Sequence, residues 1–135
     1  MSGAPLLLLD THIWIWWIEQ DRRLSDPIRR AIEHSATSVL ISAVSIYELS
    51  VLVHRNRIRL TQDIGYWLQR ATDGVDISVV SVDQEIARIA GLLPAIHGDP
   101  LDRLLIATAC CLDAQVASLD EKFRAYPQLT GRLIG

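Results

Sequence analysis

Strand-like runs alternate with helical patterns along the whole chain, and this alternation is the feature that most limits the available folds. The strand-like runs are 6–9, 38–41, 76–82, 115–119 and 132–134. Between them, apolar residues recur at helical spacing near 12–19, 26–34, 42–55, 61–73, 83–92 and 100–112. Short buried strands that alternate with helices predict an α/β protein with a mostly parallel central sheet.

The chain length predicts one domain. The chain has 135 residues, and half of them are hydrophobic, which is enough for one large core. We therefore expect residues 1–135 to form a single domain. The longest apolar stretch, 13–18, is far shorter than the roughly 20 residues that cross a bilayer, and no basic leader precedes 6–9. The adjacent Cys110 and Cys111 favour buried free thiols in a reducing compartment. We therefore expect a cytoplasmic protein that does not contact a membrane.

Acidic side chains follow several of the predicted strands or begin the helices after them. These acids are Asp10, Glu48, Asp99, Asp102 and Asp120. In an open parallel sheet, ligands bind beyond the carboxyl ends of the strands. The pattern therefore predicts that the five acids belong to one site.

Helix capping offers an alternative explanation for each of these acids. Asp99 precedes a proline as an N-cap does, and Asp102 would then lie at N3, where acids are common. Ser45 and Glu48 fit a capping box, although Ser42 competes for the cap position. The remaining two acids can each cap the element that follows. Local sequence alone leaves capping and ligand roles open.

Several carboxylates at one sheet edge would repel one another unless a cation joins them. Mg²⁺ and Mn²⁺ prefer carboxylate and water oxygens. Zinc is disfavoured because the four histidines, at positions 12, 34, 54 and 97, have no close ligand spacing. The acid cluster therefore predicts a magnesium or manganese site.

Four segments together resemble a known family. The segments "LLLDTHIWIWW", "ISAVSIYEL", "HGDPLDRLLIATA" and "ASLDEKF" look like the successive signature segments of a PIN domain, and more narrowly of VapC-type toxins from toxin–antitoxin pairs. The likeness runs from residue 6 to about residue 126. It implies a three-layer α/β/α sandwich and a metal-dependent endoribonuclease that acts as the toxin of a type II system.

The resemblance also implies the roles of individual residues. It assigns Asp10, Glu48, Asp102 and Asp120 to catalysis and to binding one or two Mg²⁺ or Mn²⁺ ions. Asp99 matches an additional acid of one subgroup, with a role as metal ligand, water holder or cap. Water activated by such ions would leave RNA products with a 5′-phosphate and a 3′-hydroxyl.

The formal net charge of −3 does not exclude an RNA substrate. With the five site acids set aside, eleven acids remain against thirteen bases, of which twelve are arginine. Arg55 and Arg57 lie close together at a predicted helix end, and Arg103 follows Asp102. We expect these three arginines to contact RNA phosphates, although solvated helix ends and ion pairs are the ordinary alternatives.

The first helix is apolar on every side, because Trp14, Trp16 and Trp17 alternate with isoleucines. Such a helix is normally buried all round, either by other helices of the same chain or by a partner. The family resemblance implies two partners, a VapB-like antitoxin and a second copy of the chain in a homodimer.

Three other classes have weaker support. A receiver domain needs a distant lysine, and the only lysine is Lys122, beside Asp120. A haloacid-dehalogenase phosphatase needs a second aspartate where His12 stands. A non-catalytic PIN-fold module that binds nucleic acid or protein is the stronger rival. The presence of every signature acid argues against that module.

Overall fold

Five parallel strands form the sheet at the centre of the computed structural model, which describes residues 5–96 and 99–135. They are β1 (Leu6–Leu9), β2 (Ser38–Ser42), β3 (Ile77–Val80), β4 (Gln115–Ala117) and β5 (Leu133–Ile134). Their order across the sheet is β3-β2-β1-β4-β5, and every pair of neighbours is parallel. The mostly parallel sheet is thus confirmed. The winding direction switches beside β1, which is where open α/β sheets bind ligands.

Six α-helices connect these strands within the described residues. They are α1 (Thr11–Glu19), α2 (Asp26–Glu33), α3 (Ala43–His54), α4 (Ile64–Thr72), α5 (Gln84–Leu92) and α6 (Pro100–Leu112). Two short 3₁₀ helices, Glu121–Ala125 and Pro127–Leu129, were not expected from the sequence, because one turn has no periodicity of its own. None of the described helices is long and apolar enough to cross a membrane.

Helices cover both faces of the sheet, because successive strand side chains point to opposite sides. Leu7 and Leu9 of β1 pack in one core cluster with residues of α1, α2, α3 and α4. Leu8 packs on the other face with α6 and both 3₁₀ helices. Helix α5 packs against α6. The structure therefore has the three-layer α/β/α architecture that the family resemblance implies.

Side-chain caps decide where the helices nearest the site begin. The Ser42 hydroxyl accepts a hydrogen bond from the Val44 N–H at 3.0 Å, so α3 begins directly after β2. Glu48 consequently lies in the second turn of α3 and outside a capping box that would begin at Ser45. Its carboxylate is left for another use.

Two buried tryptophans join α1 to α4 and hold α1 in place. The rings of Trp14 and Trp67 pack edge to face, with centroids 5.2 Å apart. The Trp14 indole N–H donates to the Ala71 carbonyl at 3.2 Å, in the last turn of α4, where carbonyls have no helical partner. The Trp67 indole nitrogen is also buried, and it has no hydrogen-bond partner among residues 5–96 and 99–135.

Replacing each tryptophan by phenylalanine should separate the hydrogen bond from the packing. Trp14→Phe should lower the free energy of unfolding by about 1 kcal/mol more than Trp67→Phe, because only Trp14 loses a hydrogen bond. Urea denaturation followed by circular dichroism measures both. The two variants remove the same ring atoms, so each is the packing control for the other. An equal loss would contradict a stabilising role for the bond to Ala71.

Candidate active site

The four signature acids all lie at the carboxyl edge of the three central strands. Asp10 directly follows β1, and Asp120 follows β4 by three residues. Glu48 is carried by α3, which begins at the end of β2, and Asp102 lies in the first turn of α6. The connections after β1, β2 and β4 and the start of α6 thus supply one acid each.

Asp102 is the buried centre of this group. It is 8% exposed. Burial raises the pKa of its carboxyl group to about 7, and the neighbouring carboxylates add to this rise. Those neighbours are Asp99, Asp10, Asp120 and Glu48. The fold therefore brings all five acids of the sequence prediction into one electrostatic cluster.

Asp10 is held by two hydrogen bonds. One carboxylate oxygen accepts from the Thr11 backbone N–H at 2.7 Å and caps α1. The other accepts from the Ser118 hydroxyl at 2.8 Å. Burial raises the pKa of Asp10, while the bonds from Ser118 and Thr11 oppose this rise. The hydrogen bonds therefore fix the orientation of the side chain, while burial disfavours its ionised form.

The Thr11 hydroxyl orients Glu48. Its oxygen lies 2.6 Å from Glu48 Oε1 and 2.8 Å from Ser45 Oγ. A hydroxyl has one proton and an ionised carboxylate only accepts, so Thr11 donates to Glu48 and Ser45 supplies the other proton. Thr11 and Ser45 are both fully buried. The hydroxyl pair ties α3 to α1 across the edge of the sheet.

Asp99 and Asp120 are caps as well as members of the cluster. Asp99 accepts from the Leu101 N–H at 2.9 Å and begins α6. Asp120 accepts from the Lys122 N–H at 3.0 Å and begins the first 3₁₀ helix. The capping and site interpretations are therefore compatible, because a carboxylate that caps one N–H keeps further lone pairs for another ligand.

The donor atoms suit a hard divalent cation, although they do not enclose one as they stand. Carboxylates and the hydroxyls of Thr11 and Ser118 provide oxygen ligands, which Mg²⁺ and Mn²⁺ favour. Within the described part of the chain, no three His, Cys, Asp or Glu side chains are grouped as a cage for one ion. Asp10, Glu48, Asp99 and Asp120 instead each accept a hydrogen bond from within the chain.

The three arginines predicted to contact RNA have different surroundings. Arg57 lines a surface cleft beside α1. Arg55 is exposed at the C-terminal cap of α3. The guanidinium of Arg103 donates to the carbonyls of Ala90, Leu93 and Pro94, at 2.8–2.9 Å. Arg103 therefore closes the C-terminal end of α5, and its phosphate contact stays a prediction.

Sequence reasoning missed the hydroxyl side chains that hold the acids, which are Thr11, Ser45 and Ser118. Thr11 directly follows Asp10, and Ser118 lies two residues before Asp120. That proximity was the available signal. Small hydroxyl residues are so common near helix starts that their partners become evident only in the folded chain. His97 and Gly98, which belong to one signature segment, lie outside the described residues.

A parallel α/β/α sandwich with acids gathered at the carboxyl edge of its central strands defines the class of protein. The family model for the PIN domain matches residues 7–129, and the chain belongs to this family. Among curated proteins, the chain is 35% identical to Ribonuclease VapC22 of Mycobacterium tuberculosis over 121 residues, which cover 89% of the chain and 91% of that protein. The resemblance to VapC-type proteins is thereby confirmed.

Solved structures of lower sequence identity have the same fold. VapBC2 from Rickettsia felis, bound to a promoter DNA fragment, matches with a TM-score of 0.69 and 17% identity over 96% of this chain and 97% of that one. A toxin–antitoxin complex from Klebsiella pneumoniae matches with a TM-score of 0.64 and 19% identity over 99% and 97%. FitAcB from Neisseria gonorrhoeae matches with a TM-score of 0.64 and 17% identity over 96% of both chains.

Removing the Asp102 charge should stabilise the metal-free protein. The Asp102 pKa is about 7 in the folded chain against an ordinary value of 3.8, so the folded state holds this proton more tightly than the unfolded state does. The wild type therefore loses stability as pH rises from about 4 through about 7, whereas Asp102→Asn does not. At about pH 8 the variant should gain about 1–2 kcal/mol of unfolding free energy after allowance for solvent screening.

Urea denaturation in EDTA at several pH values checks this prediction. Asp76→Asn, at an exposed acid, is the control for the same change in net charge. The gain from Asp102→Asn should grow with pH and then level off. A gain that does not depend on pH, or one that Asp76→Asn matches, would contradict an electrostatic origin in the cluster.

Proposed function

We propose that the protein is a metal-dependent endoribonuclease of the VapC type, which hydrolyses RNA phosphodiester bonds as the toxin of a toxin–antitoxin pair. The observation that carries the proposal is the buried Asp102 carboxyl with four other acids around it, beside β1, where the winding direction of the sheet switches. The 35% identity to Ribonuclease VapC22 supports RNA as the substrate. A pure binding module has no need of a site where carboxylates destabilise one another.

We assign Asp10, Glu48 and Asp102 to direct or water-mediated binding of one or two Mg²⁺ or Mn²⁺ ions. Asp120 completes the site or positions the attacking water, and Asp99 assists while it caps α6. Ions of this kind, when bound, neutralise phosphate charge and lower the pKa of a coordinated water. The carboxylate oxygens of all five acids provide the ligand chemistry that such ions prefer.

The chain itself contributes orientation to this site. The Ser118 hydroxyl holds one oxygen of Asp10, and the Thr11 hydroxyl holds Glu48. With a pKa of about 7, Asp102 is largely protonated below neutral pH. A cation would have to displace that proton, so acidic pH would oppose its binding. Outside the cluster, Arg55, Arg57 and Arg103 are the proposed phosphate contacts.

We propose two protein partners, a VapB-like antitoxin and a second copy of the chain. The structural neighbours come from toxin–antitoxin complexes, which supports the first. Exposed apolar side chains, such as those of Tyr47, Tyr66 and Leu92, offer surface that a partner would cover.

RNA cleavage by the antitoxin-free protein tests the proposed function. The wild type should cut linear and circular cellular RNA in Mg²⁺ or Mn²⁺, leave 5′-phosphate ends and be inactive in EDTA. Asp102→Asn should lose at least about 100-fold in rate, since metal-site electrostatics contribute several kcal/mol, whereas Asp76→Asn should cut like the wild type. Cleavage of a circle establishes internal attack. Equal cutting by Asp102→Asn and wild type would indicate a contaminating nuclease, and no cutting by either would favour a binding module.

Thr11 provides a test of orientation within the site. Thr11→Val keeps the shape of the side chain but removes the bond to Glu48, so the cleavage rate should fall roughly 10-fold and the divalent concentration for half-maximal activity should rise. Thr11→Ser keeps the hydroxyl and should retain most of the activity. Thr72→Val, which removes a hydroxyl bonded to the Leu68 carbonyl in α4, a helix that carries none of the acids, is the control. Equal losses in Thr11→Ser and Thr11→Val would mean that packing, not the hydroxyl, matters.

A further inference from the structure

Two adjoining clefts extend from the acid cluster along α1. The first, about 290 Å³ in volume, is lined by Asp10 and Asp120 together with His12, Ile13, Trp16 and Leu119. The second, about 340 Å³, is lined by His12, Ile15, Trp16, Glu19, Asp21, Arg23, Arg57, Ile58 and Arg59. His12 and Trp16 line both clefts, so the clefts adjoin at these two side chains, and we call the pair of clefts the α1 channel.

The junction of the two clefts is built from groups that stack on nucleobases. The His12 and Trp16 rings have centroids 5.9 Å apart and are tilted by 57°. The Arg23 guanidinium carbon lies 5.0 Å from the Trp16 ring centroid. His12 is exposed and Trp16 is partly buried. Aromatic and guanidinium surfaces of this kind bind unpaired bases by stacking.

Both acids that line the second cleft have partners within the chain. Asp21 accepts from the Arg23 backbone N–H at 2.9 Å and from its guanidinium at 2.8 and 3.0 Å. Glu19 accepts two bonds of 3.1 Å from Thr61 and lies 3.8 Å from Arg70.

Arg57 and Arg59 differ from Arg23, the other arginine that lines the second cleft, because neither forms an ion pair with an acid in residues 5–96 and 99–135. Both are exposed. The far end of the channel therefore has a net positive charge that suits phosphate groups.

The order of these groups follows the direction of α1. At about 1.5 Å of rise per residue, Trp16 lies about 9 Å along the helix axis from Asp10, with His12 between them. An RNA chain with one phosphate at the acids would therefore place the neighbouring base beside the His12 and Trp16 rings. Its further phosphates would lie beside Arg57 and Arg59.

We propose that His12, Trp16 and Arg23 form a stacking subsite for an unpaired base next to the scissile phosphate, and that Arg57 and Arg59 bind the phosphates beyond it. The position of the scissile phosphate rests on the proposed nuclease function, whereas the stacking itself does not. The subsite selects single-stranded or loop RNA, because a paired base cannot present its face to Trp16.

Binding to two matched probes in EDTA, where cleavage does not occur, tests the subsite. The probes are a fluorescein-labelled uridine dodecamer and an abasic dodecamer with the same phosphates, both followed by fluorescence anisotropy. Trp16→Leu should raise the Kd for the uridine probe roughly 10-fold and leave that for the abasic probe within about twofold, as expected for the loss of one stacked base. Arg57→Gln with Arg59→Gln should weaken both probes equally and reduce the salt dependence of binding.

Trp17→Leu is the matched control for a perturbed helix. Trp17 is the next residue of α1, is also partly buried, bonds to Glu33 at 3.3 Å and lines neither cleft. It should bind both probes like the wild type.

Two results would overturn the subsite. If Trp16→Leu binds the uridine probe as tightly as the wild type does, Trp16 does not stack on a base, and a protein partner becomes the better candidate for this surface. If Trp16→Leu weakens binding of both probes equally, Trp16 has a structural role only.

The subsite and the nuclease function can fail separately. RNA cleavage by the wild type together with unchanged binding by Trp16→Leu would overturn the subsite and support the nuclease. Base-dependent binding without cleavage in Mn²⁺ would support the stacking surface and overturn the nuclease.

Discussion

Repulsion among carboxylates at the carboxyl end of β1 is the constraint on which the rest of the site depends. Burial raises the pKa of Asp102 to about 7, and repulsion from four neighbouring acids adds to this rise. Hydrogen bonds from within the chain hold the neighbouring acids in place. Ser118 holds Asp10, and Thr11 holds Glu48. The arrangement that gathers these carboxylates therefore lowers the stability of the folded chain at neutral and higher pH.

The same side chains begin the helices and furnish the site, and this double use explains how a small domain can carry five acids together. Asp10, Asp99 and Asp120 each accept a backbone N–H at a helix start. Their charges are favoured there by the helix dipole and by the N–H groups that lack partners. Because the helices of a parallel sheet begin at its carboxyl edge, capping itself gathers the acids in one place.

Helix α1 links the site to the surface beside it. Its first turn carries Thr11 against Glu48, its middle buries Trp14 against Trp67, and its outer face presents His12 and Trp16 to the channel. The apolar character that first suggested a partner surface thus has two uses. Some of these apolar side chains pack in the core, and Trp16 lines both of the clefts beside α1.

The sequence by itself determined the succession of strands and helices along the chain and the parallel sheet, because periodicity is a local property. It also marked the five acids that cluster in the fold, because each follows a strand or lies near the start of a helix. It did not reveal that Thr11 bonds to Glu48 across 37 residues, or Ser118 to Asp10 across 108. Nor did it reveal that Arg103 donates to the carbonyls that end α5. Only tertiary structure decided these partners, because residues far apart in the chain meet once the sheet has formed.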